Sequence, residues 1–126
     1  MSLSHETGLS PRVIGLAMDV HRHLGPGLLE SAYEECLCFE LNQAGIAYRR
    51  QVPLSIIYKD IRLDCGYRMD VVVDNDIIVE IKAVERILPI HEAQMLTYLR
   101  LSGLRVGLLM NFNSLILKDG LKRFVL

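Results

Sequence analysis

The sequence predicts a single α/β domain in which a mixed central β-sheet is flanked by helices. Three observations predict it: a length of 126 residues, a hydrophobic fraction of 51%, and helical patterns that precede a series of strand patterns and then return once. A chain of this length holds one core and buries roughly two-thirds of its unfolded surface, so it needs neither disulfides nor a structural metal to fold. Two helices, a β-meander, a third helix and further strands are typical of a mixed sheet covered by helices. We place this domain at residues 9–126, after a flexible tail at residues 1–8.

The first two helices are predicted by apolar residues at helical spacing. Ser10 is a plausible N-cap, Pro11 the first helical residue, and the Gly-Pro-Gly run at 25–27 ends the first helix. The second helix is predicted over residues 28–44, with Gly45 as its C-terminal stop.

Strand patterns and a third helix follow. The strands are predicted at 52–58, 61–64, 67–73, 77–83, 104–111, 115–118 and 121–126. The third helix runs from Pro89 to near Gly103 and carries apolar side chains on two sides. A helix that is apolar on two sides is covered on two sides. Either the first helix or a second subunit of a homodimer covers the further side, and the sequence leaves both open.

The charge balance narrows the classes of function. Lys and Arg total 14, Asp and Glu total 15, and the net charge is -1. This balance, together with the apolar content, excludes a disordered chain. It also excludes attraction to nucleic acid through overall charge, so phosphate contact requires a local site. The local basic residues are Arg49, Arg50, Lys118, Lys122 and Arg123.

The cysteines and the apolar runs indicate the compartment. Cys36, Cys38 and Cys65 have neither a disulfide-like nor a zinc-like spacing, which favours reduced thiols. No leader opens the chain, and no apolar run approaches the ~20 residues of a membrane span. We therefore expect a cytoplasmic protein without membrane contact.

Polar and apolar side chains alternate through the predicted hairpin at 68–82. A three-residue turn at 74–76, with Asn75 in an unusual backbone conformation, places Asp70 opposite Glu80 and Arg68 opposite Lys82. A two-residue turn would break the apolar face, so the hydrophobic pattern selects this register. The apolar face then comprises Met69, Val71, Val73, Ile77, Val79 and Ile81.

The polar face of this hairpin predicts chemistry on phosphates. Opposed carboxylates of Asp70 and Glu80, with Cβ atoms about 5 Å apart, repel each other and favour a cation between them. Mg²⁺ suits such a site because it takes hard oxygen ligands and keeps several waters. Lys82 on the same face could hold a water or neutralise charge on a phosphate. Two acids and a lysine around Mg²⁺ are a minimal apparatus for phosphodiester hydrolysis. Alternatively the face is only solvated, with Arg68 and Lys82 paired to the acids.

Two helical pairs add candidate residues. Glu30 and Tyr33 lean toward what the second helix covers, although Glu30 also suits a helix N-terminus and Tyr33 favours core packing. Gln94 and Tyr98 are four residues apart on the third helix and share a face. An inward-facing Gln needs a partner, which could be a phosphate, a metal-bound water or a backbone carbonyl.

The segment Gly27-Leu28-Leu29-Glu30-Ser31-Ala32-Tyr33 resembles the signature of the GxxExxY family, and the resemblance extends from Leu9 to the C-terminus. That family belongs to the PD-(D/E)XK nuclease-like superfamily, so the resemblance implies a restriction-endonuclease-like αβββαβ core. By this resemblance Asp70 is the first metal-binding acid and Glu80-Ile81-Lys82 is the (D/E)XK element. Residues 94–98 are similar to the QxxxY motif of the exonuclease-like branch.

The resemblance implies a Mg²⁺- or Mn²⁺-dependent nuclease with DNA or RNA as substrate. Lys82 would position the attacking water, and Gln94 would orient the phosphate or the lysine. Glu30, Asp70, Glu80 and the Ile81 carbonyl would hold the metal, with Tyr33 and Tyr98 in support. The alternative is a catalytically silent relative that binds a protein or nucleic-acid partner, which the small size and near-neutral charge favour.

Overall fold

Two helices, five strands, a third helix and two further strands form residues 8–126, the part of the chain that the computed structural model describes. A short 3-10 helix at Leu117–Gly120 precedes the last strand. The helices are α1 (Ser10–Leu24), α2 (Glu30–Gln43) and α3 (Pro89–Ser102). The strands are β1 (Tyr48–Pro53), β2 (Ile56–Tyr58), β3 (Ile61–Leu63), β4 (Arg68–Val73), β5 (Ile77–Lys82), β6 (Val106–Asn111) and β7 (Leu121–Val125).

The central sheet has five strands in the order β1-β4-β5-β6-β7. Strands β5 and β6 are parallel and are connected by α3, whereas the other pairs of neighbouring strands are antiparallel. Strands β2 and β3 form a separate two-stranded hairpin instead of joining the predicted meander. The predicted α/β class, a mixed sheet flanked by helices, is confirmed.

Each face of the sheet packs against its own helical layer. On one face, α1 and α2 bury Val13, Tyr33, Leu37 and Leu41 against Val71, Val79 and Leu108. On the other face, α3 buries Met95, Tyr98 and Leu99 against Val72, Ile78 and Leu109. A fully buried apolar side chain of this size stabilises the fold by about 1.5–3 kcal/mol. The sheet is therefore packed against helices on both faces.

Two predicted strands differ from the structure. The strand predicted at 52–58 is two strands, because Pro53 has no N–H to donate and Leu54 turns into the core with its N–H bonded to the Tyr67 carbonyl. The strand predicted at 115–118 is wrong, since a 3-10 helix begins at Leu117. The apolar run at 115–117 resembled a strand in the sequence. In the structure only Leu117 of this run is buried, with 2% exposure, whereas Leu115 is 87% exposed.

The start of α1 also differs from the prediction. Ser10 is the first residue of the helix, and Leu9 occupies the N-cap position with helical dihedral angles. Ser10 is buried with its hydroxyl unpaired, so it does not cap the helix. Of the predicted tail, residues 1–7 lie outside the described residues, and Gly8 is exposed.

The further side of α3 is not covered by α1. Ile90 and Leu101 are exposed, by 69% and 40%, and α1 lies on the opposite face of the sheet. The first of the two predicted covers is therefore wrong. A second subunit stays a prediction.

The three cysteines are free, with Cys38 buried, Cys36 half-buried and Cys65 exposed. Burial raises the pKa of the Cys38 thiol to about 11, which keeps it protonated at neutral pH. Within residues 8–126, no helix combines the length and the apolar character needed to cross a membrane.

Candidate active site

Strands β4 and β5 separate where the two predicted acids face each other. The turn at 74–76 has Asp74 and Asn75 in the left-handed region, and backbone pairing then runs from Val73–Ile77 to Val71–Val79. The predicted register is thus confirmed for these pairs, but Asp70–Glu80 and Arg68–Lys82 are not part of the ladder.

The side chains of the two acids replace the missing backbone pairing. Glu80 Oε2 accepts a hydrogen bond from the Asp70 N–H at 2.8 Å. Asp70 Oδ2 accepts one from the Ile81 N–H, also at 2.8 Å. Each carboxylate therefore satisfies a backbone donor of the neighbouring strand. This exchange holds the two acids side by side in the gap between the strands.

Strand β1, which pairs with the other edge of β4, is also distorted opposite Asp70. Gln51 of β1 has a φ of 50° and is missing from the ladder at the position opposite Asp70, although pairing resumes at Val52–Met69. Beyond this distortion Met69 packs with Val72 and Ile78 instead of with Val71. The prediction that Met69 shares the face of Val71 is therefore wrong, because the irregular backbone at residue 70 breaks the period of two.

Burial and mutual repulsion make the acid pair electrostatically unfavourable. Glu80 is 5% exposed, and burial, followed by the negative charge of Asp70, raises its pKa to about 8. Burial also raises the pKa of Asp70, against the opposing effect of the Ile81 N–H. At neutral pH the pair therefore favours a bound proton or a cation.

Lys82 is the nearest source of positive charge to this pair. It lies two residues after Glu80 on β5, is half-buried, and lowers the pKa of both acids. Among residues 8–126, neither Lys82 nor Arg68 forms an ion pair with Asp70 or Glu80; Arg68 instead donates to the Gln51 carbonyl at 3.4 Å. The alternative in which both cations pair with the acids is therefore not what the structure shows.

Glu30 reaches the end of β5 from the other layer. It is the first residue of α2, is exposed, and accepts a hydrogen bond through Oε2 from the Ala83 N–H at 3.1 Å. Its charge contributes to the raised pKa of Asp70. The structure thus places Glu30 beside Lys82 and close to the acid pair.

Tyr33 fixes the loop from which Glu30 emerges. Its ring is fully buried and stacks on Phe112 at 4.5 Å, which confirms the predicted core packing. Its hydroxyl donates to the Gly25 carbonyl at 2.6 Å and accepts from the Leu28 N–H at 3.1 Å. Gly27 has a φ of 101°, which favours glycine there. The segment from Gly27 to Tyr33 therefore fixes the loop that precedes α2, and with it the position of Glu30.

Gln94 and Tyr98 approach the acids from α3. Gln94 Nε2 donates to the Tyr98 hydroxyl at 3.2 Å, so the partner predicted for this amide is a side chain of the same helix. Tyr98 is 6% exposed, and burial, then Glu80 and Asp70, raise its pKa. The Tyr98 hydroxyl thus lies near the acid pair, and Gln94 is joined to it.

Glu34 is a neighbour that sequence reasoning missed. It is 7% exposed, and its charge adds to the raised pKa of both Asp70 and Glu80. Its Oε2 accepts from Arg50 at 3.0 and 2.9 Å and its Oε1 from Gln51 at 2.9 Å. The spacing of four residues from Glu30 could have revealed it, because such residues share a helix face.

Asn111 is a second residue that the sequence reasoning missed. It ends β6 directly beside Lys82 and is 2% exposed. Its amide donates to the Val84 carbonyl at 2.9 Å and accepts from the Val84 N–H at 3.1 Å. A buried amide at the end of an apolar strand is a signal of such a clamp. Asn111 holds the segment that follows β5, and with it the backbone that Glu30 contacts.

The carboxylates at this place fit an ion such as Mg²⁺, which needs few protein ligands, better than an ion that requires a complete set of protein ligands. Within the part of the chain that the structure describes, no group of three or more His, Cys, Asp or Glu side chains is arranged to hold a metal. Mg²⁺ is usually held by one or two carboxylates together with waters and substrate phosphates. Asp70 and Glu80 are two carboxylates that could serve such an ion, and a cation would relieve the repulsion between them.

The arrangement α2–β1–β4–β5–α3–β6 has the predicted αβββαβ order, with the acids on the second and third strands of the sheet. Comparison with curated proteins and with solved structures gives no match. Residues 7–124 match the profile of the PD-(D/E)XK nuclease superfamily, which covers nearly the whole chain. The chain belongs to the PD-(D/E)XK nuclease superfamily.

Proposed function

We propose that this chain is a divalent-metal-dependent nuclease that hydrolyses phosphodiester bonds of DNA or RNA. The observation that carries the proposal is the buried Glu80 with the half-buried Asp70 beside it, both with a raised pKa and without an ion-pair partner among residues 8–126. Nucleases of this superfamily usually use divalent metals. Burying two like charges is unfavourable, and a site for a divalent cation explains why the chain does so.

The proposed roles follow from position. Asp70, Glu80 and the Ile81 carbonyl hold Mg²⁺ or Mn²⁺, and Glu30 extends this set from α2. When bound, such an ion supplies Lewis-acid stabilisation of charge on the phosphate. Lys82 orients the attacking water and offsets developing charge.

Gln94 is proposed to act with Tyr98 on the α3 side. Tyr98 lies near the acids, and the amide of Gln94 holds its hydroxyl in place. Through this contact Gln94 orients the phosphate or the Lys82 ammonium. Tyr33 acts only through the loop that presents Glu30.

The finer classification is part of the same proposal. The loop geometry at Gly27, Glu30 and Tyr33 supports membership of the GxxExxY family. We further propose that residues 9–126 form the nuclease domain and that the protein acts in the cytoplasm.

The decisive experiment is a cleavage assay on labelled single- and double-stranded DNA and RNA. We expect cleavage with Mn²⁺, no cleavage with EDTA, and loss of cleavage in Glu80→Ala. Glu40→Ala is the matched control, since it removes a carboxylate from the last turn of α2, away from the acid pair, and should cleave like the parent protein. Cleavage that survives both EDTA and Glu80→Ala would contradict the assignment.

A second candidate function is a catalytically silent module that binds a protein or nucleic-acid partner. The contacts of the local basic residues favour it, because Arg49 bonds Asn75, Arg50 pairs with Glu34 and Glu35, and Lys122 pairs with Glu92. Few cations then remain for phosphates, so salt-dependent affinity should be low. Calorimetry with Mn²⁺ separates the two candidates. Binding that is lost in a folded Asp70→Ala variant counts against a silent module.

A further inference from the structure

The hairpin of β2 and β3 carries exposed apolar side chains and leads through residues 64–67 into β4, the strand of Asp70. We define the hairpin patch as Tyr58, Ile61, Leu63 and Tyr67, which are exposed by 59%, 57%, 39% and 43%; the strand register places the first three on one face of the hairpin. These two strands pair only with each other, so the hairpin adds little to the central sheet. Several large exposed apolar side chains grouped on one face of a small hairpin mark a binding site more often than a structural one.

Tyr67 connects the hairpin patch to the acids. Its ring centroid lies 6.5 Å from that of Tyr98, with the planes at 71°, so the two rings meet edge to face. The hydroxyl of Tyr98 lies near Asp70 and Glu80. Tyr67 also precedes Asp70 by three residues, which corresponds to about 10 Å of extended chain. A half-exposed aromatic ring therefore stands within a short distance of the place where we propose a phosphate to be bound.

The neighbours of Tyr67 make a nucleobase a better occupant than a protein surface. Lys59 Nζ lies 5.5 Å from the centroid of the Tyr58 ring, and the exposed Arg68 follows Tyr67 directly in the chain. Exposed aromatic rings next to basic side chains are typical of surfaces that bind single-stranded nucleic acid. Each basic residue could contact a phosphate while a ring stacks on a base.

We propose that Tyr67 stacks on an unpaired base close to the scissile phosphate and thereby makes the chain selective for single-stranded or frayed nucleic acid. This inference rests on the proposed function, because it assigns the substrate of that same site. The three residues from Tyr67 to Asp70 span about 10 Å of extended chain, so the base lies within about three nucleotides of the phosphate. A base inside a duplex has both faces covered by its neighbours, whereas an unpaired base can offer a face to Tyr67.

Binding should be measured in EDTA, where we expect no cleavage, with labelled single- and double-stranded oligonucleotides of equal length. Stacking of one base is worth about 1–3 kcal/mol, so Tyr67→Leu should weaken single-strand binding by about 5- to 150-fold. Tyr67→Phe keeps the ring and should bind like the parent protein. Phe39→Leu is the matched control, since it removes an aromatic ring with 59% exposure from α2.

A measurement on the unaltered protein guards against misfolding of the variant. An oligonucleotide with 5-iodouracil should photocrosslink to Tyr67, as located by mass spectrometry. Equal binding by Tyr67→Leu and the parent protein, or crosslinks only outside the hairpin patch, would overturn the inference. A stable dimer that buries Tyr67 and excludes the oligonucleotide would overturn it as well.

The outcomes also separate this inference from the proposed function. Metal-dependent cleavage with no single-strand preference and no effect of Tyr67→Leu overturns the inference and leaves the nuclease. Tyr67-dependent single-strand binding without any cleavage supports the stacking role and overturns the hydrolytic function.

Discussion

Glu34 and Glu80 are both buried acids, with 7% and 5% exposure, yet their surroundings are opposite. Glu34 on α2 accepts three hydrogen bonds from Arg50 and Gln51. Glu80 on β5 accepts one from the Asp70 N–H and has the Asp70 carboxylate as its neighbour. One acid is fully paired, whereas the other is buried against a like charge.

The difference indicates that Glu34 stabilises the fold, whereas the burial of Glu80 lowers the stability of the fold. A buried charge is unfavourable unless hydrogen bonds and an opposite charge offset its lost hydration. Arg50 and Gln51 offset it at Glu34. At Glu80 burial, followed by the negative charge of Asp70, raises the pKa to about 8, and Lys82 lowers it without forming an ion pair. We infer that the role of Glu34 is to stabilise the fold and that the role of Glu80 is to bind a ligand.

The largest effect is expected at Lys82. Lys82→Ala should leave the protein folded but lower the cleavage rate by about 100- to 1000-fold, because a fixed electrostatic group of this kind contributes about 2.7–4 kcal/mol to the transition state. Lys82→Arg should not restore the rate, since the planar guanidinium would displace the water. Rates are measured in the Mn²⁺ assay, and circular dichroism monitors the fold. Unfolding of Lys82→Ala, or an unchanged rate, would make Lys82 a structural partner of the acids.

The next effect is expected at Arg50 and concerns stability. Arg50→Ala leaves Glu34 buried with only Gln51, so the free energy of unfolding should fall by about 2–3 kcal/mol, less than for a fully buried pair because 34% of the Arg50 side chain is exposed. Urea denaturation measures it. The adjacent Arg49→Ala is the matched control and should change stability by less than about 0.5 kcal/mol.

A double variant sharpens this test. Arg50→Ala combined with Glu34→Gln removes the unpaired charge and should recover part of the lost stability. If Arg50→Ala destabilises the protein no more than Arg49→Ala does, the contrast between Glu34 and Glu80 disappears.

A third effect is a dependence of stability on pH that originates at Glu80. Its pKa rises from an ordinary 4.5 to about 8 on folding, so the folded chain retains a proton that the unfolded chain has lost. In EDTA the free energy of unfolding should therefore be highest below about pH 4.5 with respect to this group, and should fall by at most about 1.4 kcal/mol per pH unit up to about pH 8.

Glu80→Gln provides the comparison for this pH dependence. Urea denaturation at pH 5.5 and pH 8 should show a smaller fall in the variant than in the parent protein, because the two proteins differ only in the group at residue 80. Saturating Mn²⁺ should also reduce the fall, since it favours the ionised pair. Equal pH dependence in Glu80→Gln and in the parent protein would place the proton elsewhere.

Much of the candidate site could be predicted because its signals are local. The turn at 74–76 and the alternation of apolar residues set the register between Val71 and Val79, and that register brings Asp70 near Glu80. The helical spacing of Gln94 and Tyr98 predicted that they share a face, whereas their hydrogen bond to each other was not among the partners predicted for the amide. Glu34 was missed because its partners Arg50 and Gln51 lie on another element, and a charge on a helix looks solvated until the sheet covers it.

By itself the sequence determined the fold class, the hairpin register and the residues that could carry the chemistry, because periodicity and turn residues act over a few positions. Tertiary structure alone decided three further features: the separation of β4 from β5 at Asp70, the break in alternation at Met69, and the contact of Glu30 with Ala83. Each of these depends on which backbone groups and charges meet across distant segments. These contacts form only when both helical layers are packed on the sheet.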